Sequence, residues 1–184
     1  YTSVSVAALP QAINDQGIVS IAPLVEEVSP AVVNIRVSQK VTNSSSFDNE
    51  AFRRFFGLPN RGNQDGVREV SSAGSGVIVN AKRGYILTNH HVVGEADAIQ
   101  ISLMDGTVHD AEIVGSDPAT DIAVIKVEAD NLIEMSIGDS TEARVGDFVI
   151  AIGNPFGLGH TVTSGIISAL GRSGISRDGY EDFI

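Results

Sequence analysis

The stretch GSGVIVNAKRGYILTNHHVVGEADAIQISLMDGTVHDAEIVGSDPATDIAVIKV, from Gly74 to Val127, decides the fold. Apolar and polar residues alternate in short runs, and turn residues close each run. The period-2 pattern reads as strands at Gly74–Asn80, Tyr85–Thr88, Ala98–Leu103, Ala111–Ser116 and Ile122–Val127. Lys82-Arg-Gly84, Asp105-Gly106 and Asp117-Pro118 separate them, and Met104-Asp-Gly-Thr107 reads as a tight hairpin. Working outward, Ala31–Ser38 is a further β-rich run on one side. Val145–Ile152 and Thr161–Leu170 are candidate strands on the other. The helical pattern is short: Leu24, Val25 and Val28 share one side of Ala22–Val28, and Pro30 ends it. Many short strands with few helices predict an all-β protein, a sandwich or closed barrel.

Composition agrees. Of the 19 glycines, 18 lie at or after Gly57, which leaves little room there for long helices. Hydrophobic residues make up 42% and charged residues 19%, so the 184-residue chain can bury a core. No run approaches the length of a membrane span, so no integral membrane segment is expected. The net charge of −11 argues against nucleic acid or an anionic membrane as partner. Thirteen acids and two bases lie between Glu95 and Asp147, a pattern expected of a solvated outer face. The chain has no cysteine, which excludes disulfides, thiol catalysis and Cys-ligated zinc. Its opening, YTSVSVAALPQAIND, lacks the basic and apolar regions of a secretory signal, so the protein is either cytosolic or already processed.

Residues 39 to 70 form a loop of different character, with Phe47, Phe52, Phe55 and Phe56 inside it. Aromatics in a loop need a cover, which is either the domain itself or another subunit or an active site.

The candidates for chemistry are few. His90 and His91 directly follow an apolar strand, and in extended backbone they point to opposite sides, so at most one serves a given site. Asp121 opens the apolar strand Asp-Ile-Ala-Val-Ile-Lys126, where a partly desolvated carboxylate needs a donor such as an imidazole N–H. Each also has a plain structural reading, a satisfied histidine and a turn-capping aspartate. Gly138-Asp-Ser140 resembles the start of a serine nucleophile motif. It continues with Thr141-Glu142 where a glycine turn should form an oxyanion hole, so it reads better as a surface turn. No convincing nucleophile is present. The histidines lack metal-binding spacing, no calcium loop occurs, and Gly153–Gly159 is not a phosphate loop, so no metal and no cofactor are expected.

Six segments taken together carry a resemblance. Ser72–Val79, Ile86–Val93 with Thr88-Asn-His-His-Val-Val, Asp121–Lys126, Ile137–Ser140, Ala151–Gly157 and Thr163–Ser168 occur in the order seen in HtrA serine proteases. The Phe-rich loop and the ending Gly171-Arg-Ser173 to Tyr180-Glu-Asp-Phe-Ile184 are similar to the bacterial periplasmic DegQ/DegP branch. The resemblance implies a chymotrypsin-like double β-barrel. Residues 1 to 30 would be an arm and short helix. Residues 31 to 135 would form a first barrel with the regulatory loop 39 to 70, and 136 to 184 the start of a second. By the same resemblance His91 is the general base, His90 holds the variable position, and Asp121 orients His91.

The family's Gly-Asn-Ser-Gly-Gly does not occur in the sequence. The nucleophilic serine, the specificity pocket and the PDZ domains are therefore expected outside this chain, which alone would be inactive. The implied protein is a periplasmic, ATP-independent endopeptidase acting on unfolded or misfolded polypeptides, as a homotrimer or larger assembly. The Phe47–Phe56 loop and Arg172 would regulate it. The alternative is a chaperone or scaffold that binds unfolded chains without cutting them.

Overall fold

The computed structural model describes residues 12–13, 19–41, 68–154, 157, 159–173 and 183–184. Strands β1 (Ala12–Ile13) and β2 (Val19–Ser20) pair antiparallel ahead of helix α1 (Ala22–Val28). Pro23 sits in the first turn of α1, where its missing N–H costs nothing. A 3-10 turn, Ser29–Ala31, follows.

Six strands then close into a barrel: β3 (Val32–Val41), β4 (Arg68–Asn80), β5 (Tyr85–Asn89), β6 (Ala98–Ser102), β7 (Val108–Asp117) and β8 (Ile122–Val127). The order around the barrel is β3-β4-β5-β8-β7-β6, every pair antiparallel, and β6 returns to β3. Period-2 alternation fills the interior. Val33, Ile35 and Val37 of β3, Ile99 and Ile101 of β6, and Ala123, Ile125 and Val127 of β8 all point inward and are buried. Each fully buried isoleucine contributes about 2 kcal/mol of apolar burial. Closure also removes edge strands, so the backbone groups of this sheet are paired around the ring.

Beyond the barrel, β9 (Phe148–Gly153) and β10 (Thr161–Ile166) form a two-stranded antiparallel sheet. The fold class is thus as the sequence predicts: mostly strands, one closed barrel and a partial second sheet. Strand ends differ from the sequence reading. β4 starts at Arg68 because its polar first half pairs with the equally polar end of β3, Lys40 opposite Glu69 and Val41 opposite Arg68. β10 stops at Ile166, where Ile167 turns inward and is buried. Among the described residues no helix is long and apolar enough to cross a membrane.

Candidate active site

Register brings the two sequence candidates together. In the β5–β8 pair Asn89 lies opposite Ile122, so the residues just after β5 and just before β8 meet at one rim of the barrel. After β5 the chain does not stay extended. His90–Val93 form a single helical turn, α2. The extended geometry expected for the two histidines is therefore corrected, and its cause is anchoring. Val92 and Val93 are buried in the core, and Val92 packs so closely on Gly74 that a Cβ there would sit 2.8 Å from it. The conclusion drawn from extended geometry still holds, because successive residues of a helical turn diverge by about 100°. His90 turns away, its Nδ1 2.5 Å from Ser116 Oγ, while His91 faces Asp121.

Asp121 reaches this position through a shaped turn. Asp117 accepts hydrogen bonds from the Ala119 N–H and the Thr120 hydroxyl, which folds the chain back. Asp121 then adopts a left-handed conformation, φ 55°, a region that aspartate enters more readily than most residues. Its carboxylate collects three donors. The His91 backbone N–H donates to Oδ1 at 2.8 Å, His91 Nδ1 to Oδ2 at 2.7 Å, and Asn89 Nδ2 to Oδ2 at 3.2 Å. The Asp121 carbonyl accepts the His90 N–H at 3.0 Å. Both side chains remain accessible, 44% for His91 and 43% for Asp121.

The electrostatics follow from this geometry. Partial burial pushes the Asp121 carboxyl upward, but the two His91 hydrogen bonds, the imidazole charge and the Asn89 amide outweigh it and hold the group below the usual aspartate value. The carboxylate is therefore ionised at neutral pH and can only accept. In the neutral imidazole Nδ1 must then carry the proton, leaving Nε2 as the basic nitrogen. A pair of this kind can take a proton at Nε2 and hold the resulting cation against a fixed negative charge.

Asn89 was not singled out by sequence reasoning. The available signal was a polar amide closing an apolar strand beside a candidate base. The Ser140 motif is, as read, a surface turn: Ser140–Glu142 form a 3-10 turn capped by Asp139, which accepts the Thr141 N–H and hydroxyl. Arg172 is exposed, and its backbone pairs with Phe183, N–H to O at 3.2 and 3.1 Å in the two directions. Phe47, Phe52, Phe55 and Phe56 lie outside the described residues.

Comparison with known proteins gives the family. Residues 74–184 match the model of a trypsin-like peptidase domain. The periplasmic pH-dependent serine endoprotease DegQ of Escherichia coli (strain K12) is 46% identical over 184 residues, covering 98% of this chain and 39% of that protein. The periplasmic serine endoprotease DegP of the same strain is 41% identical over 203 residues, covering 99% of this chain and 43% of its own. A solved structure of the HtrA-type protease AlgW with a decapeptide superposes with a TM-score of 0.68 at 42% identity, covering 89% of this chain and 50% of that one. This chain thus spans about two fifths of the length of the curated relatives it matches. Identity at this level along nearly the whole sequence, on a matching backbone, has one economical explanation: the chain belongs to the HtrA family of trypsin-like serine proteases.

Proposed function

We propose that the protein is a periplasmic, ATP-independent serine endopeptidase that cuts unfolded or misfolded polypeptides, with His91 as general base and Asp121 as the residue that orients it. The observation that carries this reading is the Nδ1–Oδ2 hydrogen bond of 2.7 Å at the barrel rim. It fixes the imidazole tautomer that a serine nucleophile requires. The nucleophile is supplied by a serine outside these 184 residues, since no Gly-Asn-Ser-Gly-Gly occurs in them. His91 Nε2 takes the serine proton as Oγ attacks the peptide carbonyl, then returns it to the leaving amine. Asp121 stabilises the imidazolium in between.

The periplasmic setting is carried over from DegQ and DegP, whose names state it. In the same reading the protein works as a trimer or larger assembly, with Arg172 and the loop bearing Phe47, Phe52, Phe55 and Phe56 in regulatory roles.

The test is cleavage of a reduced, unfolded protein by the full-length enzyme. His91→Ala should lower kcat by about 10⁴-fold or more. Turnover within tenfold of the parent would remove His91 from the role of base. A second reading is a holder of unfolded chains that does not cut them. It predicts that the parent full-length protein suppresses aggregation of the unfolded substrate and leaves it uncut.

A further inference from the structure

Asn34 is out of place for a barrel residue. Its neighbours Val33 and Ile35 point inward, so alternation puts Asn34 on the outer face of β3, yet it is only 1% exposed. The segment that follows β9 covers it. Asn34 Nδ2 donates to the Asn154 carbonyl at 2.7 Å and, at 3.4 Å, to the Gly74 carbonyl of β4. The Asn154 N–H in turn donates to Ser75 Oγ at 2.7 Å. Both backbone groups of Asn154 thus meet side chains of the first barrel, and its carbonyl also accepts the Gly157 N–H at 3.4 Å. The chain stays close as it leaves: a Cβ on Gly157 would lie 3.3 Å from Asn34 Oδ1. His160 Nε2 adds a third tie, donating to the Val32 carbonyl at 2.9 Å.

The same short piece of β4 also supports the histidine turn. The Ser75 carbonyl accepts the Thr88 hydroxyl at 2.9 Å, three residues before His91 on the chain. Gly74 is the floor on which Val92 rests. One strip, Gly74–Ser75, thus has the His91 turn on one side and the connection from β9 to β10 on the other.

From this arrangement we infer that Asn34 and Ser75 are positioning residues of the reaction: a side-chain clamp that sets the segment after β9 in fixed relation to the His91–Asp121 pair. The inference rests on the proposed protease function, in which the base belongs to the first barrel and the nucleophile to the region beyond it. Buried backbone groups of a connecting segment must find partners. Here two barrel side chains supply them, so one substitution removes a tie on the segment without touching the catalytic pair. Both act through the segment that they hold. Their effect is on alignment, where a shift of about 1 Å can cost about 100-fold in rate.

The experiment uses the full-length protein and a short fluorogenic peptide, with active sites counted by a fluorophosphonate. Ser75→Ala deletes the acceptor and almost no volume. It should lower kcat per titrated site by about tenfold and leave KM within about twofold, the signature of lost transition-state alignment. Ser75→Thr, which keeps the hydroxyl, should recover kcat to within about threefold of the parent. Asn34→Ala should reproduce the Ser75→Ala pattern in whatever fraction folds. A Ser75→Ala kcat per site within twofold of the parent, with His91→Ala inactive, would overturn the clamp and leave the protease reading intact. So would a Ser75→Thr enzyme as slow as Ser75→Ala. An active His91→Ala enzyme would instead strike at the protease reading itself.

Discussion

The first barrel and the β9–β10 sheet are written in the same hydrophobic code and end in different states. In β8 the residues Ala123, Ile125 and Val127 are 1%, 0% and 2% exposed. In the second sheet Phe148, Val149 and Ile166 are all more than 40% exposed. Alternation produces strands in both places. Among the described residues burial is concentrated where β6 returns to β3 and the ring closes. Period-2 patterning is therefore a property of the segment, while the core is a property of the topology.

Glycine offers the sharpest way to break that comparison. Gly84 and Gly146 both have positive φ, 68° and 98°. A Cβ on Gly84 would stand 1.9 Å from the Val127 carbonyl oxygen in the barrel wall, whereas one on Gly146 would meet nothing within 4 Å. In urea unfolding of the 184-residue chain, Gly84→Ala should cost about 4 kcal/mol, because strain and a backbone clash add. Gly146→Ala should cost only the left-handed strain of about 1–2 kcal/mol. Equal costs at the two sites would mean that the barrel wall yields as easily as the open turn.

Side-chain truncation should give the next largest contrast. Ile86 of β5 is 0% exposed and Ile166 of β10 is 58% exposed. Ile86→Ala should destabilise by about 3 kcal/mol, from lost transfer energy and the cavity left behind. Ile166→Ala in the same chain should change stability by less than about 0.5 kcal/mol. A large loss at Ile166 would show that the second sheet carries a core of its own.

The smallest effect lies at the rim. Asp121 is held below the ordinary aspartate value. A carboxylate whose folded pKa lies below its unfolded one stabilises the fold above the unfolded value. That contribution is lost as pH falls through the folded value. Carbon-detected NMR should therefore find Asp121 titrating below about 3.9, and Asp121→Asn should flatten only that acid end of the stability profile. A midpoint at or above the ordinary value would mean that the three donors do not hold the carboxylate in solution.

Much of this architecture was legible in the sequence, and the exceptions share a cause. Ile122–Val127 is legible to the residue because its alternation is strong and Asp117-Pro118 marks the turn before it. The first half of β4 escaped because Arg68–Ser72 has no apolar face. Only its partner β3 defines it. His91 and Asp121 were legible by type and by family order. The helical turn under His91 was not, since burial of Val92 and Val93 creates it. Asn34 gave no signal at all, for what makes it matter is a segment 120 residues further along the chain.

The left-handed backbone of Asp121 narrows what can ever replace it. Glycine, asparagine and aspartate are the residues that enter this conformation at low cost, and of the three only aspartate is an acid. Glutamate would keep the charge but not the backbone, and asparagine the backbone but not the charge. The position is filtered twice, by conformation and by chemistry, and no neighbouring amino acid passes both tests. Under the proposed role of Asp121, a chain drifting by single substitutions thus has no neutral step away from it.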